Sequence, residues 1–322
     1  MSKTSKTETK VKSNIKTKQK AIRVAILMAL ALLMVVLRAQ YSETNQSIVQ
    51  MIETTIRTIL SEENENVVLN TNSDILQIHF FDVGQADSIL LTNNNESMLI
   101  DAGNNKDGAT VVNNIKKLGI EKLDYVIGTH PHADHIGGLD NVISNLEIGK
   151  IYMPKIQTNT KTFEDVLDAT AEKNLKIMTP KVGSKFMVGN VECEIMLCGE
   201  GTNEEQENLN LSSIVVRATY NEQSYLFMAD AEKENELSRT WPQTNVLKVG
   251  HHGSNTSSSE EFLNQVQPQI AIIQVGKNND YFHPHKVTLD KLKKIGTKIY
   301  RTDEKGTILI ESDGINNKVS FY

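Results

Sequence analysis

The chain has 322 residues, 39% hydrophobic and 23% charged, which supplies a real core and excludes global disorder. Its two cysteines, Cys193 and Cys198, exclude a disulfide scaffold and any zinc module built on cysteine pairs; five residues apart in a predicted strand, they are expected on opposite faces. The net charge of −6 is unevenly divided: residues 1–40 carry nine Lys/Arg against Glu8, a net +8, so the other 282 residues carry 25 basic and 39 acidic side chains, a net −14. A body so charged repels a long polyanion on average.

In chain order, a basic arm comes first, residues 1–20, with seven lysines. Val24 to Leu37 then run for fourteen residues without a polar side chain. As a helix this run is about 21 Å long, short of a hydrocarbon core of about 30 Å. Ala21 and Ile22 lengthen it, and Lys20, Arg23 and Arg38 can snorkel to the headgroups. The lysines predict a cytoplasmic N-terminus and a body outside the cytoplasm, whether 21–38 is a retained transmembrane anchor or a cleaved signal sequence. Leu37 makes a poor cleavage position, which favours the anchor. Lys3 to Lys20 have attraction to anionic lipid as their plain role. Residues 39–73 read as a polar stalk, with Ile48, Ile52, Ile56 and Leu60 at helical spacing.

From residue 74 short apolar runs begin, and 74–322 reads as one domain. Strands are predicted over 75–82, 87–91, 98–101, 125–128, 191–197, 213–218, 225–228, 245–249, 270–275, 298–300 and 307–310. Helices are predicted over 109–118, 138–146, 163–173, 231–237, 258–266 and 287–295. The class is α/β with strand hairpins among the crossovers, not a purely parallel doubly wound sheet.

Seven of the eight histidines fall into three groups: His130, His132 and His135; His251 and His252; His283 and His285. His79 stands alone in a strand and reads as structural. The first group lies in Thr129-His130-Pro131-His132-Ala133-Asp134-His135, directly after an apolar strand. In an extended loop, residues two apart project to one side, so His130 and His132 can share an ion. Asp134 and His135, at the turn into a helix, can face a second. Four ligand-type side chains within six residues exceed the needs of one ion and point to a two-metal site.

This stretch resembles the HxHxDH signature of the metallo-β-lactamase fold superfamily. Leu99-Ile100-Asp101-Ala102-Gly103 is similar to that superfamily's first motif, whose Asp supports the metal site, and Leu226-Phe227-Met228-Ala229-Asp230 to the strand whose terminal Asp bridges the metals. The resemblance implies a four-layer αββα sandwich over about residues 75–315. Phe81-Asp82-Val83-Gly84-Gln85-Ala86-Asp87, Leu247-Lys248-Val249-Gly250-His251-His252-Gly253-Ser254 and His283-Pro284-His285 are similar to the hydrolase domain of ComEC/Rec2 competence proteins, which is linked to DNA uptake and assigned a nuclease role. Asp87 joins Asp101 as structural support on this reading. Ala86 stands where the family usually has Gly. One short apolar segment stands where the family has a polytopic channel, so a stand-alone relative is expected and not a DNA conduit.

No histidine lies between His135 and His251, where many superfamily members place a third; Asn210, Ser212 and Ser213 occupy that region. An oxygen-rich position there suits Mn²⁺ as well as Zn²⁺. The expected metal ligands are His130, His132, Asp134, His135, Asp230, His251 and His283; Asp134, His252 and His285 are the expected catalytic groups, with 251/252 and 283/285 interchangeable at this stage. Divalent ions lower the pKa of water from about 15.7 to near 7 and supply hydroxide at neutral pH; a histidine then protonates the leaving group. Ser254, Asn255 and Thr256 ahead of the helix predicted from 258 form either an anion pocket or a plain cap. The expected function is an extracytoplasmic phosphodiesterase or nuclease with two Zn or Mn ions. The alternatives are a hydrolase of carboxylic esters or amides and a non-catalytic metal-binding module. The expected partners are the membrane, through 21–38, and a phosphodiester substrate such as DNA; no protein partner is implied.

Overall fold

The structure, a computed structural model, describes residues 74–322. The expected arm, anchor and stalk lie outside the described residues. Among the described residues, no helix is long and apolar enough to cross a membrane.

Strands β1 (Leu76–Phe80), β2 (Ile89–Asn93) and β3 (Glu96–Ile100) form an antiparallel meander. The β2–β3 turn is Asn94-Asn95, both at positive φ (52° and 63°), the backbone that a two-residue hairpin demands and asparagine tolerates. The chain then runs through α1 (Gly108–Lys117), β4 (Lys122–Ile127), α2 (Ala133–Ile136), α3 (Leu139–Asn145), β5 (Glu147–Tyr152), α4 (Lys161–Glu172) and β6 (Ile177–Met178). Strands β3 to β6 pair in parallel, so these crossovers carry their helices to one face of the sheet.

A second sheet follows: β7 (Lys185–Val188), β8 (Val191–Leu197), α5 (Asn203–Glu207), β9 (Val215–Tyr220), β10 (Gln223–Phe227), α6 (Lys233–Leu237), β11 (Val246–Lys248), α7 (Glu260–Val266), β12 (Ile270–Ile273), α8 (Lys286–Lys294) and β13 (Lys298–Arg301). Pairing is antiparallel from β7 to β10 and parallel from β10 to β13. After α9 (Thr302–Lys305), β14 (Ile308–Ser312) and β15 (Asn317–Phe321) return to the first sheet, where β14 pairs with β1. The sheet orders are β15-β14-β1-β2-β3-β4-β5-β6 and β13-β12-β11-β10-β9-β8-β7.

Strand alternation buries both faces. On β10, Tyr225 and Phe227 enter a core between the sheets with Ile78, Phe80, Leu91 and Ile100. Leu226 and Met228 point the other way and pack with Phe262, Leu263 and Val266 of α7 and Leu292 of α8. Each fully buried aliphatic side chain contributes about 1.5–3 kcal/mol, so this double burial fixes the sandwich that holds the site. The cysteines correct an expectation. Cys193 lies in the inter-sheet core and Cys198 packs against that same core, because a bulge between Ile195 and Leu197 adds a residue and resets the alternation.

Six elements lack a readable pattern in the sequence: α5, α9, β5, β6, β7 and β15. Strands β6, β7 and β15 lie on sheet edges, where exposed side chains blur the pattern of burial. β5 buries only Ile148 and Ile151 fully among Glu, Gly, Lys and Tyr.

Candidate metal centre

Parallel neighbours bring their carboxyl ends to one edge. Asp101 follows β3, residues 129–135 follow β4, Asp230 follows β10, His251 and His252 follow β11, and the 276–285 loop follows β12. Loops after parallel strands are where α/β sheets build sites. Gly137 and Gly138 allow the close approach. A Cβ on Gly137 would lie 2.3 Å from Asn105 N, and one on Gly138 2.3 Å from Ala102 O, so only glycine lets α2 and α3 sit on the β3 loop.

Asp101, fully buried at φ 58°, holds the first half together. Its carboxylate accepts the Thr129 N–H (2.8 Å), the Thr129 hydroxyl (2.7 Å) and His135 Nδ1 (2.7 Å). His135 therefore turns Nε2 away from Asp101, to 3.2 Å from Asp230 Oδ1 and 3.9 Å from Asp134 Oδ2. His132 is extended (φ −80°, ψ 148°) ahead of α2, which lets His130 Nε2 and His132 Nδ1 converge to 3.0 Å. Two ring nitrogens at that distance share a proton or, better, a cation.

The second half is built on left-handed backbone. Val249 leads into the 3₁₀ turn Gly250–Gly253, in which His251 (φ 49°, ψ 49°) and His252 (φ 51°, ψ 23°) are both left-handed. His251 N–H donates to the carbonyl of Ala229, itself at φ 49°. Consecutive left-handed residues splay their side chains. His252 is buried: Nδ1 donates to Gln274 O (3.0 Å) beside Asp87 Oδ1 (3.3 Å), and Nε2 lies 3.3 Å from Asp134 Oδ2 and 3.7 Å from Asp230 Oδ1. His251 stays at the rim, with Nδ1 against Thr256 Oγ1 (3.0 Å) and Glu232 Oε1 (3.3 Å) and Nε2 3.6 Å from Asp230 Oδ2.

Asp134, His135, Asp230 and His252 thus offer ligand atoms within 4.8 Å of one another. The donor set fits divalent ions, since imidazole and carboxylate together suit Zn²⁺ or Mn²⁺. His135 Nε2, His252 Nε2 and Asp230 Oδ1 are buried without a hydrogen-bond partner, an arrangement that a cation would satisfy. The electrostatics agree. Burial resists charging His135, yet Asp230, Asp101 and Asp134 outweigh it and hold its pKa well above the ordinary value. His252 is likewise pushed up to about 10, with Asp230 and Asp87 overcoming burial. Burial works against the Asp230 carboxylate, but His135 and His252 hold it well below the usual range. His130 and His132 go the opposite way: burial keeps both neutral and their lone pairs available.

The remaining candidates form an outer ring. His283 Nδ1 accepts from the Gln85 side-chain amide (3.3 Å), and His283 packs 5.5 Å from His251 and 4.8 Å from His285, ring centre to ring centre. Burial, and then His252 and His251, press its pKa down to about 4. His285 Nδ1 accepts the Asn255 N–H (2.9 Å). Of the interchangeable pair, His252 takes the interior position and His251 the rim, because neighbours in left-handed backbone do not follow strand alternation. At the helix start, α7 begins at Glu260 behind the Ser259 cap, while the N–H groups of Asn255 and Thr256 are engaged by His285 and Ser254 and so are not free for an anion. Asn210, where a third histidine was missing, donates to Glu232 (3.1 Å).

Several supporting residues escaped the sequence reading. Lys248 Nζ, fully buried, lies 2.6 Å from Asp87 Oδ2, and Asp87 in turn backs His252; a lysine inside the apolar run 246–249 was the available signal. Glu232 holds His251, Asn208 and Asn210, which draw its pKa down to about 2 against burial. Gln274 donates to Phe81 O and Ser88 O while its carbonyl fixes His252.

Residues 81–277 match the metallo-beta-lactamase superfamily. Over 194 residues the chain is 34% identical to ComE operon protein 3 of Bacillus subtilis, covering 59% of this chain and 25% of that protein. It is 29% identical over 234 residues to competence protein ComA of Neisseria gonorrhoeae, covering 71% of this chain and 31% of that protein. It is 26% identical over 241 residues to recombination protein 2 of Haemophilus influenzae, covering 73% and 28%. The chain spans between a quarter and a third of the length of these relatives. Among solved structures, the metallo-beta-lactamase fold protein YhfI of Bacillus subtilis shares the fold at a TM-score of 0.50 and 14% identity, covering 74% of this chain and 100% of that one.

Proposed function

The chain belongs to the metallo-β-lactamase superfamily, and from that premise we propose that it is a membrane-anchored, extracytoplasmic phosphodiesterase of nuclease type that uses two divalent ions, Zn or Mn. His130 and His132, together with Asp134, His135, His252 and Asp230, would hold the ions. Bound there, the ions would supply Lewis acidity and a water deprotonated at neutral pH.

The observation that carries the reading is the histidine ring outside this ligand set. His283 and His285 both accept at Nδ1, which leaves the Nε2–H of each as a donor. Several such donors suit the non-bridging oxygens of a phosphodiester, which spread charge over more than one atom in the transition state. His251, 22% exposed with Nε2 beside Asp230, is placed to give a proton to the leaving oxygen. Asp101 and the Gln274 carbonyl each take the Nδ1–H of their histidine, fixing the tautomer that presents Nε2 to a metal. Similarity to competence and recombination proteins supports a nucleic-acid substrate. The basic arm and the apolar run 24–37 support the anchored, exported placement.

The test uses the full chain in detergent, stripped of metal and reloaded with Zn²⁺ or Mn²⁺. It sets bis(p-nitrophenyl) phosphate and single- and double-stranded DNA beside nitrocefin and a lactone, with His132→Ala as control. Phosphodiester cleavage that requires both metal and His132 is the expected result. Turnover of the carbonyl substrates alone would overturn the proposal.

A further inference from the structure

Beside the histidine ring, the 276–285 loop raises two aromatic side chains into solvent: Tyr281 is 65% and Phe282 83% exposed. Exposing a phenylalanine so fully forfeits the free energy of burying its ring, and here the backbone is shaped to do it. Phe282 sits at φ 58°, a left-handed conformation uncommon for a bulky residue and a pointer to function where it is held in place.

The loop is held by one side chain. Asn279 Oδ1 accepts the N–H of Tyr281 (3.2 Å) and of His283 (3.0 Å), while Nδ2 donates to Gly276 O (2.9 Å) and His283 O (2.7 Å). The Phe282 N–H donates to Asn279 O (3.2 Å). Gly276 in turn packs against Gln85, the partner of His283: its N–H donates to Gln85 Oε1 (3.0 Å), and a Cβ there would lie 2.6 Å from Gln85 N. The Tyr281 ring stacks on His283 at 5.7 Å and 24°. A cavity of about 630 Å³ opens alongside, lined by Phe282, His283, Asn278 and Lys277 and by Arg301, which is paired with Asp303 and Glu304 of the same wall. An aromatic pair, pinned in place, thus adjoins both a histidine of the site and an open groove of balanced charge.

We propose that Tyr281 and Phe282 form a stacking platform for an unpaired nucleobase, which makes the substrate single-stranded nucleic acid bound by a base next to the scissile linkage. The proposal rests on the phosphodiesterase reading of the adjoining site. Aromatic stacking serves any base, since each has a π-face, and it works only when the base is unpaired. It also suits the acidic body, because stacking needs no extended cationic track.

The test mixes the zinc-loaded full chain in detergent with a short single-stranded oligonucleotide carrying 2-aminopurine and follows the rapid fluorescence quench before cleavage. An otherwise identical strand abasic at its neighbouring positions competes for binding. The wild type is expected to prefer the strand with bases by roughly ten-fold or more. Phe282→Ala and Tyr281→Ala each reduce that preference and the quench, Phe282→Trp retains both, and Ile315→Ala, which removes an exposed apolar side chain elsewhere, leaves them intact. Equal binding of base-bearing and abasic strands, with DNA still cleaved, overturns the platform and spares the phosphodiesterase. A base preference lost in Phe282→Ala upholds the platform even where no phosphodiester is cleaved, and the catalytic reading then fails alone.

Discussion

The loop after β4 and the loop after β11 bring His135 and His252 to the same carboxylates, Asp134 and Asp230, by opposite backbone devices. The first keeps regular conformations: His132 is extended, His135 is helical, and Asp101 fixes the ring orientation. The second places His251 and His252 in consecutive left-handed conformations, at about 1–2 kcal/mol each. The regular loop lets spacing alone decide which side chains meet. The strained loop separates neighbours, burying His252 among carboxylates and leaving His251 at the rim. Strain here distinguishes two otherwise identical side chains.

The largest effect falls where the halves meet. Asp230→Asn removes the carboxylate that faces both His135 and His251 and is expected to lower kcat/KM on bis(p-nitrophenyl) phosphate by roughly a thousand-fold or more, with loss of bound ion in elemental analysis. An Asp230→Asn enzyme with full metal and near-full activity would break the account of a shared centre.

His79 provides a reference outside both loops. It is as buried as His135 but has Tyr322 Oη (2.8 Å) as its hydrogen-bond partner and Glu311 as its one raising charge, so burial drives its pKa down to about 4, where His135 is driven up. Its folded pKa lies below the unfolded value of 6.5, so the unfolded chain binds more protons between them. The His79 contribution is thus fully present above pH 6.5 and falls by about 3 kcal/mol as pH drops to about 4. Urea melts of the chelated full chain and of His79→Phe at pH 7 and 4.5 should show the wild type losing more stability on acidification. A wild type that acidifies no worse than the variant would refute the burial argument.

Smaller effects separate the loops. Asp101→Asn keeps shape but weakens the hold on His135, and is expected to cost about ten- to a hundred-fold in metal affinity by competition with a chelating dye. An unchanged affinity would mean that His135 needs no support. His251→Gly should raise the stability of the metal-free protein by about 1 kcal/mol, since glycine accepts left-handed backbone. His132→Gly, at an extended position, should give no such gain. Equal responses in thermal melts would remove strain as the difference between the loops.

The same contrast explains what the sequence could reveal. Residues 129–135 are legible because extended backbone and a helix start obey fixed periodicities, and Asp101 and Asp230 end apolar strands that are legible themselves. The order of His251 and His252 is not, since no periodicity describes two left-handed residues in a row. The bulge that carries Cys198 to the same core as Cys193 is hidden for the same reason. Edge strands β7 and β15 meet solvent and lose their alternating pattern. Lys248 and Asp87 form a buried ion pair between segments 161 residues apart in sequence, which only the folded chain brings together.

The most direct test of the central claim counts the ions bound by the purified full chain, by His252→Ala and by His251→Ala, each reloaded with Zn²⁺ and dialysed. Two ions in the wild type, one lost in His252→Ala and both kept in His251→Ala are the predicted result. Loss of an ion in His251→Ala with both retained in His252→Ala would contradict the assignment of the buried histidine to the metal centre.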